Sequence, residues 1–183
     1  MARKLRNALV VDVESTCWEN GGPPEGEVSE IIEIGVCRVS LRDLSILDRE
    51  SILVIPTASH VSPFCTTLTG HTVAELTDNG LFFGTALSRL REKWNSDKLP
   101  WFSWGDYDRD MFTKQCERTG DPYPFGRTHT NLKFIFAVAE GSQEVGVEKA
   151  LAWSRMEFEG RPHNGGDDAY NIARLLKRTF SKT

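Results

Sequence analysis

The feature that most constrains this chain is the run Asn7-Ala-Leu-Val-Val-Asp-Val-Glu14, which is apolar and β-branched but carries acids at alternate positions. Such a run reads as a buried strand. Strand side chains alternate between faces, so Leu9, Val11 and Val13 point one way while Asp12 and Glu14 share the other. Two carboxylates on one face of a buried strand repel each other and lose solvation, so the arrangement needs protons or a cation. Hard divalent cations take oxygen ligands of this kind. A strand end emerging into water at Asp12 is the simpler account of an isolated D-x-E, and only the rest of the chain can overturn it.

At 183 residues the chain has the length of one domain, expected to span 1–183 with its core over about 7–178. Residues 31–40 and 45–55 read as two further strands joined by a short turn at Arg42 and Asp43, which suggests an antiparallel meander. From Thr72 the pattern turns helical. Thr72 with Glu75 has capping-box spacing and opens a short helix, and helices follow over residues 85–94, 106–118, 131–139, 147–155 and 166–180. Residues 100–104 form a fourth apolar strand between them. Strands first and helices interleaved later predict an α/β fold, a mixed central sheet flanked by helices.

Composition narrows the function classes. Hydrophobic residues at 39% and charged residues at 26% exclude collagenous and disordered chains. A net charge of −4 excludes a generally DNA-coating protein, yet four carboxylates holding two divalent cations would approach neutrality and admit phosphate. Cys17, Cys37, Cys65 and Cys116 show no C-x-x-C spacing and read as reduced thiols of a cytoplasmic protein. The apolar run that ends at Asp12 is too short for a signal segment, and no stretch is long enough for a membrane span.

Two later segments supply more acid. In WFSWGDYDRDMF, helical spacing puts Asp108 on the stripe of Met111, Phe112, Gln115 and Cys116, whereas Asp106 suits the helix N-cap and Asp110 the wet face. In RPHNGGDDAYNIARLL, Asp168 shares a stripe with Ile172, Leu175 and Leu176, while Asp167, Asn171, Arg174 and Arg178 form the polar row. His163 stands five residues before Asp168. Hinged on Gly165-Gly166, it suits a general base because imidazole titrates near neutrality. A core burying four carboxylates from three segments without a counterion would hardly fold. The chemical reading is a two-metal site in which ions ~3.5–4 Å apart clamp the attacking and leaving oxygens of a phosphoryl displacement.

The order VVDVES, WGDYD, HNGGDDAYNIARLL resembles the DEDDh 3′–5′ exonucleases of the ribonuclease H-like superfamily. SEIIEIGV, FCTTLTGHT, FSWGDYDRDMF, NLKFIFAVAEG and GVEKALAW are more closely similar to its Eri-type branch, which includes histone-mRNA and small-RNA 3′ exonucleases. The likeness spans residues 7–178. It implies a ribonuclease H-like fold in which Asp12, Glu14, Asp108 and Asp168 bind two Mg²⁺ or Mn²⁺ ions and His163 deprotonates the attacking water. The implied reaction is removal of nucleoside 5′-monophosphates from the 3′ end of single-stranded nucleic acid, with RNA favoured.

Substrate contacts are expected from Ser15, Thr16 and Cys17, which follow the metal strand, and from Leu68 and Thr69, which match the family segment that wedges against the terminal base. Trp18 is an aromatic within reach of a terminal base, or a loop Trp packed on the core. The chain departs from the branch at Ser15, where Ala is common, and at His71, where LTGIT is common. These departures bear on nucleotide preference. Two other readings use the same carboxylates: an RNA-binding scaffold with a nuclease fold, and a ribonuclease H-like endonuclease. The cations Arg89, Arg91 and Lys93, and Arg174, Lys177, Arg178 and Lys182, read as solvated helix faces. His60, His71 and His129 have no acids at metal-ligand spacing.

Overall fold

In the computed structural model, which describes residues 5–181, the β-branched N-terminal run is strand β1 (Asn7–Ser15) and lies at the centre of a five-stranded sheet. The order is β3-β2-β1-β4-β5, with β2 at Ile31–Ser40, β3 at Ile46–Leu53, β4 at Trp101–Ser103 and β5 at His129–Asn131. β1 pairs with β2, and β2 with β3, in antiparallel fashion, which is the expected meander. The β1–β4 and β4–β5 pairs are parallel, so the sheet is mixed. Seven helices flank it among the described residues: α1 (Pro63–Thr69), α2 (Val73–Asn79), α3 (Phe83–Trp94), α4 (Tyr107–Thr119), α5 (Leu132–Glu140), α6 (Val147–Trp153) and α7 (Gly165–Phe180). None of them is long and apolar enough to cross a membrane.

The alternation of β1 divides the core. Leu9, Val11 and Val13 pack with Leu87, Leu90 and Trp94 of α3 and with Met111 and Phe112 of α4. Ala8 and Val10 pack on the other side with Ala169, Ile172, Ala173 and Leu176 of α7. Asp12 and Glu14 continue the Ala8–Val10 row, so they face the α7 layer. Trp101 enters the first layer and Trp104 the second, as their odd spacing predicts.

Four local expectations are corrected. The Gly165-Gly166 pair is not a hinge before the helix but its first residues, and it lies so close to β2 that a Cβ on Gly35 would overlap the Gly165 carbonyl. Asn171 is not on a wet row. It is fully buried, donates to the Glu159 carbonyl at 2.9 Å and accepts from the Glu159 amide at 3.1 Å. Asp106 occupies the N-cap position of α4 but makes no cap hydrogen bond, because its carboxylate pairs with Arg109 at 3.0 Å. Leu68 and Thr69, which read in sequence as a turn, lie in the last turn of α1, a helix opened by Ser62-Pro63. Of the cations read as solvated, Arg89 and Lys93 pair with Glu50 and Arg174 with Glu159, while Lys182 lies outside the described residues.

Candidate active site

The site begins where strand pairing runs out. β4 registers with β1 only at Leu9 and Val10, so the amide of Val13, farther along that edge, has no strand partner. Buried backbone N–H groups are rarely left unpaired. Here the first turn of α4 supplies the acceptor, and Val13 N–H donates to Asp108 Oδ1 at 2.9 Å. Asp108 is 3% exposed, and burial pushes its carboxyl up to about 6 in spite of that bond. One hydrogen bond thus carries an acid from the α3/α4 layer around the edge of β1 to the acids of the opposite face.

Those acids converge. Asp12 and Glu14 from β1 and Asp168 from the first turn of α7 each place a carboxylate oxygen within 4.8 Å of the others. Burial raises all three: Glu14 to about 8 and Asp12 well above the ordinary range, both with added repulsion from Asp168, and Asp168 to about 7 against the pull of the His163 and Asn164 amides, with Glu33 and Asp167 repelling it. Asp168 Oδ2 is buried with no hydrogen-bond partner. A buried carboxylate oxygen in that state needs an explanation, and a bound ion supplies one. Three hard oxygen donors, one of them orphaned, fit a divalent cation.

His163 stands in an exposed turn just before α7 and lines the same cleft of about 460 Å³ as Asp12, Glu14, Asp108 and Asp168. Its φ of +60° is unusual for a residue with a Cβ and costs about 1 kcal/mol. Asn164 fixes the turn from below by capping α7, its Oδ1 accepting from the Asp167 amide at 3.1 Å. Trp104, Tyr107 and Lys149 complete the walls. Sequence reasoning missed these three. Tyr107 adjoins Asp108 in the first turn of α4 and could have been found from that position, whereas nothing local marks Lys149.

The structure gathers Asp12, Glu14, Asp108, His163 and Asp168 into one cleft, whereas Ser15, Thr16, Cys17, Trp18, Leu68 and Thr69 do not line it. Ser15 Oγ and Tyr107 OH are 2.6 Å apart. Thr16 is buried and accepts from the Glu30 amide at 2.9 Å, and the Cys17 carbonyl accepts from Ser62 Oγ at 2.6 Å. Trp18 is half-buried and edge-on to His60. Thr69 is buried with its hydroxyl donating to the Cys65 carbonyl at 2.9 Å, and Leu68 beside it is half-buried.

A further acid borders the site without joining it. Glu33 on β2 is fully buried, and its carboxylate accepts from Ser51 Oγ at 2.5 Å, His71 Nε2 at 2.6 Å, Gly165 N–H at 2.8 Å and Gly166 N–H at 3.0 Å. Burial alone would push Glu33 up, but the hydrogen bonds from His71 and Ser51 outweigh it and hold the carboxyl below its ordinary value. His71 is buried too, and the Glu33 bond overcomes its desolvation and raises it. The signal for Glu33 was an acid inside the apolar run 31–36, and the signal for His71 was its departure from LTGIT, which marks the position but not its partner.

Comparison with known proteins agrees with this geometry. The family model RNase_T, described as exonuclease, matches residues 9–176. The 3′–5′ exonuclease Snipper of Drosophila melanogaster is 28% identical over 189 residues, a match covering 92% of this chain and 67% of that protein. Human 3′–5′ exoribonuclease 1 is 31% identical over 182 residues, covering 92% of this chain and 51% of the relative, so the chain spans about half of that protein's length. The crystal structure of the nuclease domain of 3′hExo, a DEDDh family member, bound to rAMP, aligns with a TM-score of 0.87 at 26% identity, covering 97% of this chain and 92% of that one.

Proposed function

The chain belongs to the RNase_T exonuclease family, of the DEDDh 3′–5′ type, and from that premise we propose that it is a metal-dependent exonuclease that removes nucleoside 5′-monophosphates from the 3′ end of single-stranded RNA. The observation that carries the reading is the Asp12–Glu14–Asp168 cluster with its orphaned Asp168 oxygen, set in one cleft with an exposed His163. RNA is favoured because one relative is an exoribonuclease and the aligned nuclease domain was crystallised with rAMP.

Asp12, Glu14 and Asp168 would hold divalent cations, Mg²⁺ or Mn²⁺ and two in all, with Asp108 steadying these acids from the β1 edge. Divalent ions there supply charge stabilisation for the attacking and departing oxygens and acidify water. His163 accepts the proton of the attacking water, a task its exposed position in the cleft lining permits. The hydroxyls of Thr16 and Thr69 are committed to backbone partners, and with Leu68 and Trp18 they stand outside the cleft wall, so any contact these residues make with the terminal nucleotide is made beyond it. The terminal 3′-hydroxyl is read by the backbone near Glu14.

The test uses labelled single-stranded RNA with a free 3′ end, the same strand with a 3′-phosphate, a closed circle and a matched DNA, each with Mg²⁺, Mn²⁺ or chelator. Release of 5′-monophosphates from free-ended RNA alone, and only with metal, is the expected result. Cleavage of the circle would make the protein an endonuclease. RNA binding without turnover would make it a scaffold.

A further inference from the structure

Two ties join the end of α1 to the segment that carries His163 and Asp168. The first is Glu33, whose carboxylate binds the first two amides of α7 on one side and His71 on the other. His71 is itself anchored, with Nδ1 at 3.3 Å from Glu75 Oε2 and its amide donating to the buried Thr69 hydroxyl at 3.2 Å. The second tie is Arg161, whose amide donates to Asp167 Oδ2 at 2.9 Å while its Nη2 donates to the carbonyls of Thr67 at 3.1 Å and Leu68 at 3.4 Å. Between them lies Gly70 at φ +84°, where a Cβ would overlap the Arg161 guanidinium. Neither tie enters the cleft wall.

We propose, on the exonuclease reading above, that Glu33, His71 and Arg161 are positioning residues that lock the Leu68–Thr69 end of α1 to the His163 turn and to the start of α7. The consequence is mechanical. A helix N-terminus leaves unsatisfied amides, and whichever carboxylate takes them sets where the first turn sits. Asp168 is in that first turn and His163 just ahead of it, so Glu33 fixes both relative to Asp12 and Glu14 on the neighbouring strand. Arg161 adds a second link, between the Thr67 and Leu68 carbonyls that end α1 and the loop that holds the base, so a substrate contact at that end of α1 would bear on His163. Partners of ligating groups normally tune a metal site in this way.

The test measures Mn²⁺ binding by titration calorimetry without RNA, and kcat and KM on single-stranded RNA with Mn²⁺, for the full chain and two variants. Glu33→Gln cannot accept all four donors. It is expected to weaken Mn²⁺ binding about ten-fold and lower kcat about 10–100-fold with KM within about two-fold. Arg161→Met is expected to leave Mn²⁺ binding unchanged while raising KM several-fold and lowering kcat about ten-fold. Mn²⁺ affinity and kcat that stay parental in both variants, whatever their melting temperatures, overturn the proposal and leave these residues a purely scaffolding role. Should Glu33→Gln fail to fold, His71→Gln carries the same expectation in the same direction, and an unchanged Mn²⁺ affinity there overturns it equally. A parental chain that binds Mn²⁺ but degrades no RNA would sink the exonuclease reading, while the calorimetric comparison still decides the positioning claim.

Discussion

Glu14 and Glu33 face each other across the β1–β2 ladder, yet the fold treats them in opposite ways. Glu33 receives four hydrogen bonds, one from a histidine whose pKa is raised, and its own carboxyl is held below the ordinary value. Glu14 has Asp168, Glu33 and Asp108 for neighbours and rises to about 8, with His71 only partly offsetting burial and repulsion. Both are drawn from water. A buried charge is tolerable when paired and costly when not. The chain therefore had the means to neutralise an acid at this place in the sheet and used them one strand away from the cleft. An acid satisfied from within holds the scaffold, and an acid left unsatisfied is where an external cation belongs.

The largest effect that tests this division is on turnover. His163→Ala removes the proton acceptor from the unsatisfied side, and kcat on RNA should fall about 10²–10⁴-fold. Mn²⁺ binding should persist, and the melting temperature should stay within about 2 °C because the side chain is exposed. Parental turnover would remove His163 from the mechanism.

On the satisfied side the expected effect is on folding. Breaking a buried pair costs about 3 kcal/mol, so Glu33→Gln should lower the melting temperature by roughly 6–12 °C at neutral pH. Its pH dependence has a definite sign. Glu33 is depressed below 4.5 in the fold, so its contribution is present above the unfolded value and disappears as pH falls through the folded one. His71 is raised above 6.5, so its contribution is full below that value and disappears as pH rises through the folded one. Thermal melts should show the parent and the variant converging at both ends of the pH range and furthest apart between them. A constant gap would mean that the pair is not ionic.

This contrast also marks how far the sequence could be read. The period of two in β1 gives the common face of Asp12 and Glu14, and the helical stripe predicts all five buried residues of α4, Asp108 among them. Both signals are local, a residue and its neighbours within one element. Glu33 acquires its meaning from His71, 38 residues later, and from Gly165, 132 residues later, and no periodicity reaches that far. The same distance misled the reading of Gly165-Gly166: local chemistry makes two glycines a hinge, whereas the close approach of Gly35 makes them a contact. Asn171 looks wet by type and is buried because the chain at Glu159 folds over it. β5 and α1 go unread at three and seven residues, lengths at which β4 and α2 are found from an apolar run and a capping box and not from periodicity.

Adding the missing cation should bring the unsatisfied side toward the behaviour of the satisfied one. At 100 times its dissociation constant, Mn²⁺ should stabilise the fold by about 2.7 kcal/mol, or roughly 5–11 °C in melting temperature. At a fixed Mn²⁺ concentration the increment should be larger at pH 8 than at pH 6, because Glu14 at about 8 and Asp168 at about 7 give up protons to the metal. Calorimetry should register that proton release as a dependence of the binding heat on buffer. A shift that is the same at both pH values would place the ion elsewhere.

The smallest change in stability is the most direct reversal. Glu14→Gln should abolish Mn²⁺-dependent turnover and yet make the metal-free protein more stable, by about 1 kcal/mol or roughly 2–4 °C at pH 8. The sign follows from the raised pKa. With Glu14 at about 8 in the fold and 4.5 unfolded, the parent is penalised progressively as pH rises from the lower value through the higher one. Gln carries no charge at any pH, so the gain should shrink toward pH 5, where the folded parent already holds its proton. Glu33→Gln, one strand over, should move the melting temperature the opposite way under the same conditions. Two isosteric changes on cross-strand neighbours with opposite signs would locate the boundary between scaffold and site in the gap between β1 and β2. Two losses would mean that Glu14 is satisfied in the metal-free fold and that the cluster has a counterion of its own.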